Sequence, residues 1–227
     1  PTIRESLSAL APGVEPATGA AAIRAGLEAE EEAAAPGAVF PDTGLDLAIE
    51  RTRALVAIDL DLAPSAGMQG GHRARERANR QGLAEAARLL RLKRWAGLIV
   101  IDLVGAGHDG AAILTAARQA FGEGPATGYG PVSRFGLLQL SLPWRRTPLE
   151  EVLNSADGRR RPEQRAQDVV RDLRLAIMED PATPRFVACC RPDIAALAAP
   201  LVARLGPRAG LRGDPAIASD AISVEEG

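Results

Sequence analysis

Ala54-Leu55-Val56-Ala57-Ile58-Asp59-Leu60-Asp61 and Gly97-Leu98-Ile99-Val100-Ile101-Asp102-Leu103-Val104 are two apolar runs, each with an Ile-Asp-Leu step near its carboxyl end. Short apolar runs rich in Val and Ile read as buried strands. Between them, His72 to Trp95 reads as a long helix. Leu83, Ala86, Ala87, Leu90 and the stem of Lys93 share one face, and Arg73, Arg75, Arg77, Arg80, Arg88, Arg91 and Arg94 crowd the other. A strand–helix–strand crossover sets its two strands side by side and parallel. Asp59 and Asp102 then face one another at the strand ends where open α/β sheets bind ligands.

Outward from this unit, Leu45-Asp46-Leu47-Ala48-Ile49-Glu50 alternates at period two, a half-exposed strand turned by Arg51-Thr52-Arg53. Pro64 to Gly71 reads as a glycine-rich loop. A helix capped by Asp109 runs to Phe121. Strands at Tyr129–Val132 and Leu137–Leu142 flank Ser133-Arg134-Phe135-Gly136. Upstream, Ala20 to Ala35 forms one helix whose acidic run, Glu28, Glu30, Glu31 and Glu32, reads as a solvated face. Residues 143–162, with Pro143, Pro148, Asp157-Gly158 and three consecutive Arg, read as a linker. The tail has an αβαβ pattern: a helix from Pro162 to Met178, a strand Arg185–Cys189, a Pro200-interrupted helix Asp193–Leu205 and a strand Ala221–Val224. The expected architecture is α/β, with α+β as the variant: a mixed, largely parallel sheet with flanking helices, plus a small C-terminal αβ subdomain. The expected organisation is a partial N-terminal segment at 1–44, a main domain at 45–142, the linker at 143–162 and the small subdomain at 163–227.

Composition excludes several classes. With 27 Lys+Arg against 29 Asp+Glu, the net charge is -2, so the chain as a whole is not a basic nucleic-acid binder; local basic patches stay open. Apolar residues at 46% and charged ones at 25% exclude disorder. Aromatics at 3% leave the core to Ala, Leu, Val and Ile. No apolar stretch is long enough for a membrane span, and no secretory signal opens the chain. Cys189 and Cys190 are adjacent, which excludes a disulfide framework or a Cys-rich zinc site, and a reducing cytoplasm is the expected compartment. The chain begins at Pro1 with its first Met at Met68, and reads as a fragment of a longer protein.

Two carboxylates about 5 Å apart repel by roughly 3 kcal/mol at an effective dielectric of ~20, so an Asp59–Asp102 pair needs a proton, an Arg or a divalent cation between its members. One or two carboxylates with waters and a phosphate make a Mg²⁺ shell, and Asp61 adds an oxygen donor on the same strand face. A lone Asp ending a strand serves equally as turn former or helix cap.

Three separated motifs carry a resemblance. They are Glu50-Arg51-Thr52-Arg53-Ala54-Leu55-Val56-Ala57-Ile58-Asp59 with Gly70-Gly71; Ala87-Arg88-Leu89-Leu90-Arg91-Leu92-Lys93 with Gly97-Leu98-Ile99-Val100-Ile101-Asp102; and Ser133-Arg134-Phe135-Gly136-Leu137-Leu138. In this order and spacing, Ile49 to Leu140 resembles the deoxyribonuclease-I-like catalytic subdomain of the ribonuclease E/G family, and the tail looks like that family's small C-terminal subdomain. The resemblance implies a Mg²⁺-dependent endoribonuclease acting on single-stranded RNA in RNA processing or decay. Asp59 and Asp102 correspond to the family's two magnesium ligands, with Asp61 in support, and a metal-activated water is the nucleophile. The chain departs from the family at three places. The Cys-Pro-x-Cys zinc link has no counterpart in residues 143–162. The RNA-binding OB-fold and most of the 5′-end sensor would precede Leu45, where 44 residues stand. The stretch after Gly70-Gly71 is basic rather than acidic. A homo-oligomer is compatible with this, but not through a Cys zinc link.

On that reading Arg134, Arg73, Arg75 and Arg77 meet RNA phosphates, Phe135 stacks on a base or packs in the core, and His108 touches a phosphate. The Arg-rich helix serves equally as a solvated face. Two alternatives stand beside the nuclease: a non-catalytic RNA-binding relative, and a phosphatase of the haloacid-dehalogenase type. The latter rests on Asp59-Leu60-Asp61 as Asp-x-Asp after an apolar strand, but Ala63 stands where Thr or Val is expected.

Overall fold

Period-two alternation builds the main sheet and gives it two unlike faces. The computed structural model of the protein describes residues 2–218 and 221–227. They gather in two compact units, Glu31–Val152 and the combination of Pro1–Glu30 with Leu153–Gly227. Helices α1 (Ile3–Leu10) and α2 (Gly19–Ala34) open the chain.

The unit Glu31–Val152 carries β1 (Gly37–Phe40), β2 (Leu45–Arg51), β3 (Val56–Leu62), α3 (Pro64–Lys93), β4 (Gly97–Asp102), α4 (Gly110–Phe121), β5 (Gly128–Tyr129), β6 (Leu137–Leu142) and most of the short α5 (Leu149–Leu153). Its strands form one sheet in the order β1-β2-β3-β4-β6-β5. Leu45, Leu47 and Ile49 of β2, Val56, Ile58 and Leu60 of β3, and Ile99 and Ile101 of β4 are all buried. They pack with Leu83, Ala86 and Leu90 of α3 and Ile113 and Ala117 of α4. Each buried Leu, Ile or Val among them contributes about 1.5–3 kcal/mol. Gly82 lets α3 lie directly on β3, because a Cβ there would come 2.6 Å from Leu60 Cδ1. The chain's single lysine, Lys93, is 2% exposed, and its Nζ donates to the carbonyls of Ala33 and Ala35 at the end of α2.

The α/β class and the crossover through α3 are as expected, but the largely parallel sheet is corrected. Among the described residues of this sheet only β3–β4 is parallel. The β1–β2–β3 meander and the return of β6 beside β4 make every other pair antiparallel. Residues 64–71 are not a loop. Pro64, whose missing N–H costs nothing in a first turn, starts α3, and the helical geometry breaks only at Gly71 (φ 52°, ψ -141°). The strand expected at 129–132 is the two-residue β5. The acidic run of α2 is not simply solvated: Glu32 accepts from Arg88 at 2.8 Å, and Glu30 accepts from Arg171 at 3.0 Å.

In the second unit, α6 (Pro162–Glu179), β7 (Phe186–Cys190), α7 (Pro192–Val202, followed by a 3₁₀ turn Ala203–Leu205), β8 (Ala209–Gly213) and β9 (Ser223–Glu226) form a small αβ layer. Its sheet order is β8-β7-β9, with β7–β8 parallel and β7–β9 antiparallel. Val169, Leu173, Phe186, Ala188, Ile194 and Ala198 are its core. No helix among the described residues is long and apolar enough to cross a membrane.

Candidate active site on the open sheet face

The residues that alternate with the buried ones fall on the other face of the main sheet. Asp59 and Asp102 are register partners on the parallel pair β3–β4. Adjacent strands lie about 4.8 Å apart, so the two carboxylates leave the sheet side by side. Asp61 follows two residues on along the same face, and its own partner across the antiparallel pair β2–β3 is Asp46. All four are exposed. With Glu50, which alternates with Asp46 along β2, the sheet therefore carries five carboxylates on one face, with no Lys or Arg among the residues paired with them.

This arrangement sets the electrostatics. The Asp59 carboxyl is held above the ordinary Asp range, first by partial burial among its neighbours and then by the charges of Asp102, Asp61 and Asp46. One oxygen of Asp61 is already engaged, accepting from Leu62 N at 2.7 Å. Among the described residues no three His, Cys, Asp or Glu side chains come together closely enough to hold a metal ion. The protein's own contribution is thus a carboxylate pair. That donor set suits a hard cation that keeps most of its waters, which describes Mg²⁺ better than Zn²⁺ or Ca²⁺.

Two loops meet at the carboxyl end of β4. In the first, Asn79 of α3 is 1% exposed and brackets Val104, its Nδ2 donating to the Val104 carbonyl (3.3 Å) and its Oδ1 accepting from Val104 N (2.8 Å). His108 Nε2 lies 3.0 Å from the Gly105 carbonyl, which can only accept, so Nε2 carries the proton. Asp109 caps α4 by accepting from Ala111 N and Ala112 N.

The second loop is Ser133-Arg134-Phe135-Gly136. Ser133 Oγ accepts from Phe135 N and Leu137 N, and Gly136 turns at φ 85°. The Gly136 carbonyl accepts from Leu103 N at 3.3 Å. Leu137, the next residue, is the register partner of Asp102. Phe135 is 71% exposed with the Arg134 guanidinium 4.7 Å from its ring centre, so it lies on the surface rather than in the core.

The structure thus brings Asp59, Asp61 and Asp102 onto one face, with Arg134 and Phe135 on the rim beside them. Arg73, Arg75 and Arg77 lie instead on α3, the helix covering the opposite face. His108 stands on the rim, and a Cβ at Gly136 would meet its Nε2 at 3.4 Å. His72 lies 3.4 Å from Glu76 Oε1. Asp46 is the site residue that sequence reasoning passed over. Its alternation with Leu45 and Leu47 placed it on an exposed face, and only the β2–β3 register sets it opposite Asp61.

The sequence matches the Ribonuclease E/G family over residues 12–143, more than half of the chain. No curated protein matches it.

Proposed function

Since the chain belongs to the ribonuclease E/G family, we propose that it is a Mg²⁺-dependent endoribonuclease that hydrolyses single-stranded RNA in RNA processing or decay. The observation that carries this reading is the register pairing of Asp59 with Asp102 on an exposed face, with no Lys or Arg among their register partners. Asp59 and Asp102 would hold the ion directly, with Asp61 as an auxiliary oxygen donor. When bound there, Mg²⁺ supplies Lewis-acid stabilisation of the charge that develops on the scissile phosphate.

The chain's own residues orient the strand. A face with five carboxylates repels a polyanion, so RNA has to be drawn in by cations at its edge. Arg134 is the rim residue suited to a phosphate, and Phe135 offers a ring on which a base stacks, an interaction worth about 1–3 kcal/mol. Arg73, Arg75 and Arg77, on the helix-covered side, serve only phosphates of a strand that continues past the carboxylate face and round the sheet edge. His108, with Nε2–H held on Gly105 O, presents Nδ1 as an acceptor, which suits a hydroxyl or water better than a phosphate oxygen unless the ring is protonated.

Asp102→Asn tests the reading. With Mg²⁺, the wild-type chain is expected to cut an unstructured oligoribonucleotide, and the variant to lose at least about a hundredfold in rate while binding the RNA with similar affinity. A wild-type chain that binds RNA but leaves it intact with Mg²⁺ supplied would make the protein a non-catalytic relative.

A further inference from the structure

A cleft of about 340 Å³ opens between α3 and the β4–α4 segment, on the helix-covered side of the sheet, and shares only His108 with the rim of the carboxylate face. Its floor is apolar, made by Val104, Ile113, Ala112 and Ala116, while Thr115 and Gln119 add polar groups to one wall. Its mouth is basic, with His72, Arg75, Arg80 and His108.

The acids that face this mouth are Glu76 and Asp109, and both are engaged. Glu76 stands beside His72, and Asp109 accepts the first N–H groups of α4. Among the described residues neither Arg75 nor Arg80 has a carboxylate partner. Arg88, on the same helix, has two, Glu32 and Glu85. Arg75 is also held in place. It is half-buried against Gly105, where a Cβ would come 2.7 Å from Arg75 Cδ and where φ is +83°. Only glycine lets the arginine lie across that loop.

The volume lies within the range of small-molecule sites, which begins at about 300 Å³, and an apolar floor with a few polar groups is their usual lining. A flat ring over the floor and a phosphate at the mouth satisfy both halves of the cleft. We propose that this cleft binds a nucleotide, its phosphate on Arg75 and Arg80 and its base on the floor between α3 and α4. The ligand is either a free mononucleotide or one residue of an RNA strand; the chemistry recognised is the same.

The test is calorimetric titration of the full chain in EDTA with AMP, and separately with adenosine and inorganic phosphate. Expected is saturable AMP binding, with adenosine and phosphate each weaker by about tenfold or more. Arg75→Ala and Arg80→Ala each weaken AMP by roughly tenfold. Ala112→Leu, at an exposed position of α4 that lines the cleft, abolishes AMP binding with the melting temperature unchanged. A short oligoadenylate that displaces AMP assigns the cleft to an RNA strand, and one that leaves AMP bound assigns it to the free nucleotide; both outcomes uphold a nucleotide site. Absence of saturable AMP binding to the folded wild-type chain overturns the proposal, as does AMP affinity equal in wild type, Arg75→Ala and Ala112→Leu. Because no cleavage is read and no Mg²⁺ is present, a chain that fails to cut RNA but binds AMP at these residues defeats the nuclease reading and leaves the cleft standing.

Discussion

Asp168 and Asp59 are both carboxylates kept from full solvation, and their surroundings are opposites. Asp168, on α6, is 5% exposed. Arg160 grips it with two bonds at 2.5 and 2.7 Å, and Arg171 donates at 2.9 Å. Glu30 completes the network by accepting from Arg171 at 3.0 Å and pairing with Arg160 at 2.6 Å. Asp59 stands among Asp102, Asp61 and Asp46, and its register partners are Ala48 and Asp102 rather than a cation. An acid surrounded by guanidinium groups serves the fold. An acid surrounded by acids opposes it, and what offsets that cost has to come from outside the chain.

The largest expected effect lies on the compensated side. Asp168→Ala leaves Arg160 and Arg171 with Glu30 as their remaining acid, a change expected to cost about 3 kcal/mol, the lower end for breaking a buried pair. Denaturant unfolding of the two chains measures it. A loss below about 1 kcal/mol would mean that the network is no more than a surface ion-pair array.

The uncompensated side is expected to respond to a cation. Mg²⁺ at a hundred times its dissociation constant stabilises a chain that binds it only when folded by about 2.7 kcal/mol. Thermal melts of the wild type should therefore rise with Mg²⁺, while Asp59→Asn and Asp102→Asn melt at temperatures insensitive to it. Equal Mg²⁺ responses in all three chains would place the ion elsewhere.

The parts of this contrast legible in the sequence are those fixed by local period and by a single crossover. The Ile58-Asp59-Leu60 and Ile101-Asp102-Leu103 steps place each acid on the face opposite its apolar neighbours, and the helix between them forces the parallel pairing that makes Asp59 and Asp102 partners. Partnerships across long separations were not legible. Arg88 and Glu32 are 56 residues apart, and Arg171 and Glu30 are 141 apart. Nothing local to Glu30 or Glu32 separates an ion-paired acid from a solvated one. Two strands escaped for a different reason. Gly37-Ala38-Val39-Phe40 and Ala209-Gly210-Leu211-Arg212-Gly213 carry glycines that weaken strand preference, and each is held by pairing with a stronger neighbour, β2 or β7. Whether Phe135 lies in the core or on the surface was not legible either, and the turn at Gly136 places it outside.

The smallest effect discriminates most finely, because it separates repulsion within the acidic face from metal binding. The Asp59 carboxyl titrates above its unfolded value, so its contribution to stability is fully present below the ordinary Asp range and is lost as pH rises through the raised folded value. In metal-free buffer Asp59→Asn is therefore expected to melt above the wild type at neutral pH, by less than about 1 kcal/mol once solvent screening is allowed for. The difference should close as the pH falls below the carboxylate range. Asp46→Asn should move stability in the same direction by a smaller amount, since the charge of Asp46 acts on Asp59 less strongly than those of Asp102 and Asp61. Glu32→Gln should do the reverse. Hydrogen bonding to Arg88 holds Glu32 below its ordinary value, so the wild type is the more stable chain at neutral pH and loses that advantage as pH falls through the lowered value. Opposite signs for Asp59→Asn and Glu32→Gln across one pH series are the expected outcome. If both variants destabilised at neutral pH, Asp59 would be a structural acid whose compensating partner lies on the chain, and the case for an external cation at this face would fail on stability grounds alone.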